Sequence, residues 1–277
     1  FLSDLKSGEP FRYTDMIEDD PARPETLEYL ERTFFTGAGG QGESALRPGR
    51  YRVVASRGIA YSTAEQQLEV APGESKALSF RLTRVADAPG YVHGDFHTHT
   101  RNSIDSAIGF ETRALSFAAE GIEQVTISEH NYVSDLSSTF EAVGLADWVK
   151  PMIGLEMTTL ELGHFNGFPV KFEPGPLTHG SFEWFRHPAQ QLFDGMRERG
   201  ALEDESPIIQ INHPRDTTMG YFNAFALDEA GQPTVSSSLV KPYGPEFVLE
   251  SWSEEFDAIE ILNGKHSEFV HSYRVPE

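Results

Sequence analysis

Asp95-Phe96-His97-Thr98-His99-Thr100 is the stretch on which the reading of this sequence turns. The apolar run 92–96 reads as a short strand. Histidines two apart on a strand point to the same face. At the C-terminal end of such a strand, both imidazoles reach a single ion about 2 Å away. A His-x-His pair on its own is also an ordinary surface feature, so its weight depends on the rest of the chain.

Further along, polar residues recur at the ends of apolar strands. His130 follows Val125-Thr126-Ile127-Ser128. Glu156 ends Ile153-Gly154-Leu155. His164 opens His164-Phe165-Asn166-Gly167-Phe168. His213 ends Ile209-Gln210-Ile211-Asn212 and precedes Pro214. Each of these could be a capped structural residue. Together they point to a shared site, because several buried imidazoles without partners are costly and barrel enzymes build their sites on this rim.

The surrounding pattern is α/β. Helices are expected over 110–119, 136–149 and 185–199, the last stopped by Gly200. Strands are expected over 125–128, 152–156, 164–170, 208–212 and 258–262. Strands alternating with helices imply a parallel sheet or barrel. Ahead of this region, residues 1–50 are rich in Gly, Pro and charge, with one short helix expected near 25–33. Strands then follow at 51–56, 66–70 and 76–85, separated by turn signals at Arg57-Gly58 and Pro72-Gly73-Glu74. That pattern suggests a small antiparallel β-sandwich. The expected boundaries are 1–88 for this β-rich accessory region and 89–277 for the α/β domain.

Composition narrows the function. The 277 residues carry a formal net charge of -21, which repels phosphate backbones and argues against nucleic-acid binding. There are no cysteines. Thiolate nucleophiles and thiolate ligands are therefore excluded, and any metal must sit on His, Asp and Glu, a set suited to Zn, Mn or Fe. No apolar run approaches the length of a membrane span. The start at Phe1, without Met, reads as a processed or trimmed chain and is compatible with export to a periplasm or cell envelope.

The order Asp-x-His-x-His-Thr, Ser-Glu-His-Asn, Gly-Leu-Glu, Gly-His-Phe-Asn, Asn-His-Pro-Arg resembles the PHP (polymerase and histidinol phosphatase) metallohydrolases, especially the branch typified by the CehA/McbA carbaryl hydrolases. The resemblance runs from about residue 91 to 277. It implies a distorted (β/α)7 barrel holding two or three divalent metal ions. His97 and His99 match ligands of a first metal, and Glu156 matches the carboxylate bridging first and second. His164 and His213 match the remaining ligands of the second, and Asp105 and His130 those of a third. In such a site a metal-bridging hydroxide attacks the substrate.

Two departures stand out. Glu129 replaces the usual Asp before His130, a conservative change away from the main ligands. The closing Asp-x-His motif of the family has no counterpart after the strand at 258–262. His266 and His271 lack its context, so the barrel is expected to be C-terminally truncated in this chain.

The expected activity is hydrolysis of a small-molecule phosphate ester. Carbamate or carboxylic ester hydrolysis is the alternative within the same chemistry, and a non-catalytic binding protein with a relic barrel is the alternative outside it. Arg215, beside His213, suits either a clamp on an anionic substrate or an ordinary surface ion pair, and Arg101 is a weaker candidate of the same kind. His93 reads as structural, and His179 and His187 as non-ligands. Tyr221, Phe222 and Phe225 could wall a pocket but suit core packing better.

Overall fold

The computed structural model describes residues 32–228, 230–234, 250–261 and 263. The expected helix at 25–33 lies almost wholly outside them, as do His266, His271 and the stretch where an Asp-x-His would be sought. The described chain divides into two units. A smaller one takes in residues up to Ala88 with Ala119–Gly121 and Asn263, and a larger one takes in Pro89–Ala118 and Ile122–Leu262.

In the smaller unit, β1 (Gly49–Ala55) pairs antiparallel with β2 (Ala64–Val70), in register from Gly49↔Val70 to Ala55↔Ala64. Side chains along both strands alternate between half-buried and exposed, as a one-sided ribbon requires. The expected third strand at 76–85 makes only an isolated bridge, Tyr61↔Arg84. The Gln66 amide donates to the Ser79 carbonyl at 2.6 Å, so a side chain takes an acceptor that a ladder would need. The expected sandwich is thereby corrected to a two-stranded sheet among the described residues.

The larger unit opens with β3 (Gly94–Thr98), α1 (Phe110–Ala119), β4 (Gln124–Ile127), α2 (Ser137–Ala142) and β5 (Lys150–Ile153). The three strands form a parallel sheet in the order β3-β4-β5. Ala114 and Phe117 of α1 and Phe140 of α2 pack on Val125 and Ile127 of β4. The helix expected over 136–149 is shorter than its apolar spacing implied, because Gly144 turns the backbone to φ +71° just past it.

The strand expected over 152–156 is two strands. After β5, Gly154 donates its N–H to the Ile127 carbonyl, and β6 (Leu155–Thr158) pairs with the chain just beyond β4 through the parallel bridge His130↔Glu156. β7 (His164–Phe168) and β8 (Ile208–Ile211) follow antiparallel, and β9 (Ala258–Ile259) pairs parallel to β8. The antiparallel members correct the expectation of an all-parallel arrangement. Between β7 and β8 runs α3 (Ala189–Arg197). It starts later than expected because Pro188 at its N-cap is extended, and proline cannot donate to a preceding turn. A short α4 (Tyr221–Ala224) follows β8. The described strands make separate sheets of two, three and four strands, and no closed barrel is found among them. Among the described residues, no helix is long and apolar enough to cross a membrane.

Alternation along the four-stranded sheet separates core from site. Leu155, Met157, Phe165, Ile209 and Ile211 belong to one buried apolar cluster with Leu192, Phe193 and Met196 of α3. Burying each large side chain contributes roughly 1.5–3 kcal/mol. The intervening residues Glu156, Thr158, His164, Asn166 and Gln210 fall on the opposite face, because Glu156 pairs with Asn166, Thr158 with His164, and Asn166 with Gln210. This face is buried as well, although it is polar: Glu156, Asn166 and Asn212 are fully inaccessible.

Candidate metal centre

Strand direction explains the positions of the histidines. β3, β4, β6, β8 and β9 run the same way and present their C-terminal ends to one rim, where His97, His99, His130 and His213 stand. β7 alone runs the other way, so its rim residue is its first, His164. Glu156 lies inside β6 rather than at the end of a strand as the sequence suggested.

Five imidazoles surround the Glu156 carboxylate. His97 Nε2 and His99 Nε2 each lie 3.3 Å from it, on Oε1 and Oε2 respectively. His130 Nδ1 is 2.8 Å from Oε2, His164 Nδ1 3.1 Å from Oε1, and His213 Nε2 3.8 Å from Oε1. The Asp105 carboxylate stands 3.4 Å from His130 Nε2. Three groups bring their ligand atoms close enough to share an ion: His97, His99 and Glu156; His99, Asp105 and His130; and His130, Glu156 and His164. His213 falls outside these groups but within reach of Glu156.

Partners outside this cluster hold the rings. His97 Nδ1 meets Glu260 Oε1 at 3.0 Å. The Ser103 hydroxyl donates to Glu129 Oε2 at 2.5 Å, so its oxygen accepts from His99 Nδ1 at 3.0 Å. Glu129 is itself buried and accepts both the N–H and the hydroxyl of Thr100. Glu129 thereby reaches His99 through Ser103. His130 Nδ1 lies 2.5 Å from Thr158 Oγ1. The Asn212 amide donates to Glu156 Oε1 and to Asn166 Oδ1, both at 2.9 Å. His213 has a positive φ of 27°, a backbone strain of roughly 1–3 kcal/mol that cannot be relieved without moving its ring.

The charges follow from this packing. Burial works against charging His97, but Glu156 and Glu260 overcome it and raise its pKa to about 10. Burial lowers His99 to about 4 and also lowers His164. Burial opposes His130 too, yet Glu156 and Asp105 raise it. Burial alone would raise Glu156, but the surrounding imidazoles, His97 foremost, hold it well below the usual carboxylate range.

The residues fit a divalent ion. With Nδ1 of His99 donating to Ser103, its Nε2 is left as an acceptor, facing Glu156 Oε2, another acceptor. Both atoms are buried; His130 Nδ1 lies 2.8 Å from Glu156 Oε2 but is engaged with Thr158 Oγ1, and neither atom receives a well-aligned hydrogen bond, nor does His213 Nδ1. Two facing acceptors in a buried site repel each other unless a cation lies between them. Their 3.3 Å spacing suits neighbouring donors each about 2 Å from one ion.

Other candidates stand apart. Arg215 is exposed, its guanidinium 5.8 Å from the ring centre of Phe222, and Arg101 lies 4.1 Å over Phe110. The carbonyl of His93 accepts from Glu123 and Gln124. His179 packs between Tyr132 and Phe172, and His187 bonds the Glu183 carbonyl. Tyr221 and Phe225 are core residues, fully buried. Glu260, Ser103, Asn166 and Asn212 are the site residues that the sequence reading passed over. The alternation of Asn166 and Asn212 with apolar neighbours was the available signal.

No protein-family model matches the sequence, and comparison with curated proteins finds no relative. Among solved structures, the chain resembles one from Bacteroides vulgatus ATCC 8482, described as a two-domain protein containing a predicted PHP-like metal-dependent phosphoesterase. The TM-score is 0.36 and the identity 19%, over 53% of this chain and 42% of that one, so the chain spans less than half of its length. None of these comparisons points to the CehA/McbA branch. What the geometry establishes is a buried cluster of histidines and one glutamate that could hold a metal ion.

Proposed function

We propose that the protein is a metal-dependent hydrolase of the PHP type, acting on a small anionic phosphate ester. The observation that carries this reading is the convergence of five imidazoles on the buried Glu156 carboxylate, with His99 Nε2 facing its Oε2 at 3.3 Å. His97, His99 and Glu156 would hold one ion, and His164 and Glu156, with His213 in reach, a second. Asp105 and His130 would contribute to a third. Zn, Mn and Fe all suit these donors. Divalent ions bound there would lower the pKa of water and polarise the oxygen under attack.

The protein's own residues prepare that chemistry. Glu156 stays ionised, because its low pKa removes any competing proton. Asn212 fixes the Glu156 plane, and Ser103 with Glu129 fixes the His99 ring. The apolar cluster beneath the sheet keeps bulk water from the far side of the site. Arg215, exposed two residues past His213, would meet an anion arriving from solvent. Ile104 and Leu160, largely exposed beside Asp105 and beyond Thr158, favour a second reading with a neutral carbamate or carboxylic ester. Residues 89–277 would carry the activity in either case, with 1–88 as an accessory region.

Elemental analysis of the purified protein, paired with turnover of a generic aryl phosphate with and without chelator, tests the proposal. Bound Zn, Mn or Fe and chelator-sensitive turnover are expected. Protein that neither holds metal nor turns over when saturated with zinc and manganese would remove it.

A further inference from the structure

We propose that Glu260 is a positioning residue of the metal centre, one that selects which nitrogen His97 offers to the ion and anchors the loop carrying His213. The inference rests on the metal-binding reading above and extends it to a residue outside the ligand set.

Glu260 lies immediately after β9, the last described strand of its sheet, and donates its N–H to the Ile211 carbonyl at 2.9 Å. That bond fixes the backbone where β8 leads into Asn212 and His213. The side chain is mostly buried, with 12% exposure. Its two carboxylate oxygens do different things. Oε1 meets His97 Nδ1 at 3.0 Å, and Oε2 accepts the backbone N–H of His213 at 2.7 Å.

The chemistry follows from which groups can donate. A carboxylate only accepts, so His97 Nδ1 must carry the proton in this contact. The ring then has Nε2 free for a cation, and Nε2 is the nitrogen that faces Glu156 at 3.3 Å. A carboxylate behind a ligating imidazole makes the ring more basic and fixes its rotation. The Oε2 contact acts on a second ligand by another route. His213 sits at a positive φ, and a charge-assisted bond to its N–H holds that conformation in place. One side chain thus ties together two rim histidines that lie 5.8 Å apart, ring centre to ring centre. His99 has a comparable partner in Ser103, which passes its contact on to Glu129, so His97 and His99 are both held from behind by Nδ1 while both Nε2 atoms face Glu156.

The test compares the full chain with Glu260→Ala and Glu260→Gln. Zinc affinity is measured by competition with a chromophoric chelator, and far-UV circular dichroism checks the fold. Loss of an outer partner of this kind weakens metal binding by about 10–100-fold. That loss is expected for Glu260→Ala. Glu260→Gln is expected to fall between it and wild type, because one amide oxygen can still accept from His97. Ring nitrogen spectra of the zinc-loaded wild type, labelled with 15N-histidine, supply a readout that general destabilisation would not move: His97 should appear protonated at Nδ1 with the metal on Nε2. If wild type binds zinc and folded Glu260→Ala binds it equally well, the inference fails while the metal reading stands. Metal found on His97 Nδ1 also overturns it, and decides the matter if Glu260→Ala does not fold. A wild type that binds neither zinc nor manganese overturns both.

Discussion

The Asn212 side-chain amide donates one hydrogen bond to Glu156 Oε1 and a second to Asn166 Oδ1, each at 2.9 Å, and so joins β8 to the carboxylate of β6 across the intervening β7. All three residues are fully buried. Replacing Asn212 with Ala leaves the buried Asn166 Oδ1 without this donor and removes one of the donors to Glu156 Oε1, which keeps His164. An unsatisfied buried polar group costs about 1–3 kcal/mol. Glu156 would also be free to rotate away from the histidines. Asn212→Ala is expected to lower the melting temperature and to weaken zinc binding by about tenfold or more, read by thermal denaturation and by chelator competition. Unchanged affinity would mean that the imidazoles alone orient Glu156.

Protons compete for the same nitrogens as metal. His97, raised to about 10 from an ordinary 6.5, is protonated at pH 8 in the metal-free protein. With a raised pKa, its charged form contributes stability in full below pH 6.5, and that contribution is lost as the pH rises through 10. A metal ion must displace this proton, so binding to the folded protein gains up to tenfold per pH unit below about pH 10 from His97 alone. His99, lowered to about 4, and Glu156, held low, have no proton to give at pH 8. Calorimetry at pH 8 in buffers of differing ionisation enthalpy should find about one proton released for the ion bound by His97, His99 and Glu156. Zero release would show that His97 either is neutral before the metal binds or is not a ligand.

How legible the molecule was depended on the range of the interactions involved. His97, His99, His130, His164 and His213 could be seen because each adjoins an apolar run, a local signal that survives in a single sequence. α1 was legible to the residue, since its apolar spacing and the absence of internal Gly or Pro agree. The strand expected at 152–156 failed because β5 and β6 belong to different sheets, and only Gly154 marks the change. The third strand of the smaller unit failed because alternation cannot report whether a partner backbone is available. Glu260 could not be singled out, since a lone acid between Ile259 and Ile261 looks like the outward face of a strand. Its function depends on His97, which lies far away in the sequence.

The turn between β6 and β7 offers a test of packing away from the chemistry. Gly163 adopts a φ of +103°, and a Cβ there would lie 2.7 Å from the Tyr221 nitrogen and 2.9 Å from the Met219 carbonyl oxygen. Both are backbone atoms that cannot move aside cheaply. Gly163→Ala is expected to destabilise the protein by about 2 kcal/mol or more through strain and overlap combined. It should also loosen His164, its neighbour. Gly175→Ala is the control, since a Cβ there meets nothing within 4 Å. Denaturant titration of the pair should show a large loss for the first and little change for the second.

Arg215 separates the two substrate classes. It is exposed and stacks on Phe222 at 5.8 Å, a contact contributing about 0.5–1 kcal/mol, so removing it should leave the fold intact. If the substrate is a phosphate ester, the guanidinium meets its anionic oxygens as they enter. Arg215→Ala should then raise KM for an aryl phosphate by about tenfold, with a smaller effect at high ionic strength, where such attraction is screened. A neutral aryl carbamate has no such charge, and its KM should not change. An equal effect on both substrates would reassign Arg215 to shaping the rim around His213. No effect on either, alongside faster turnover of the carbamate, would move the protein to the neutral-ester class while leaving the metal centre as described.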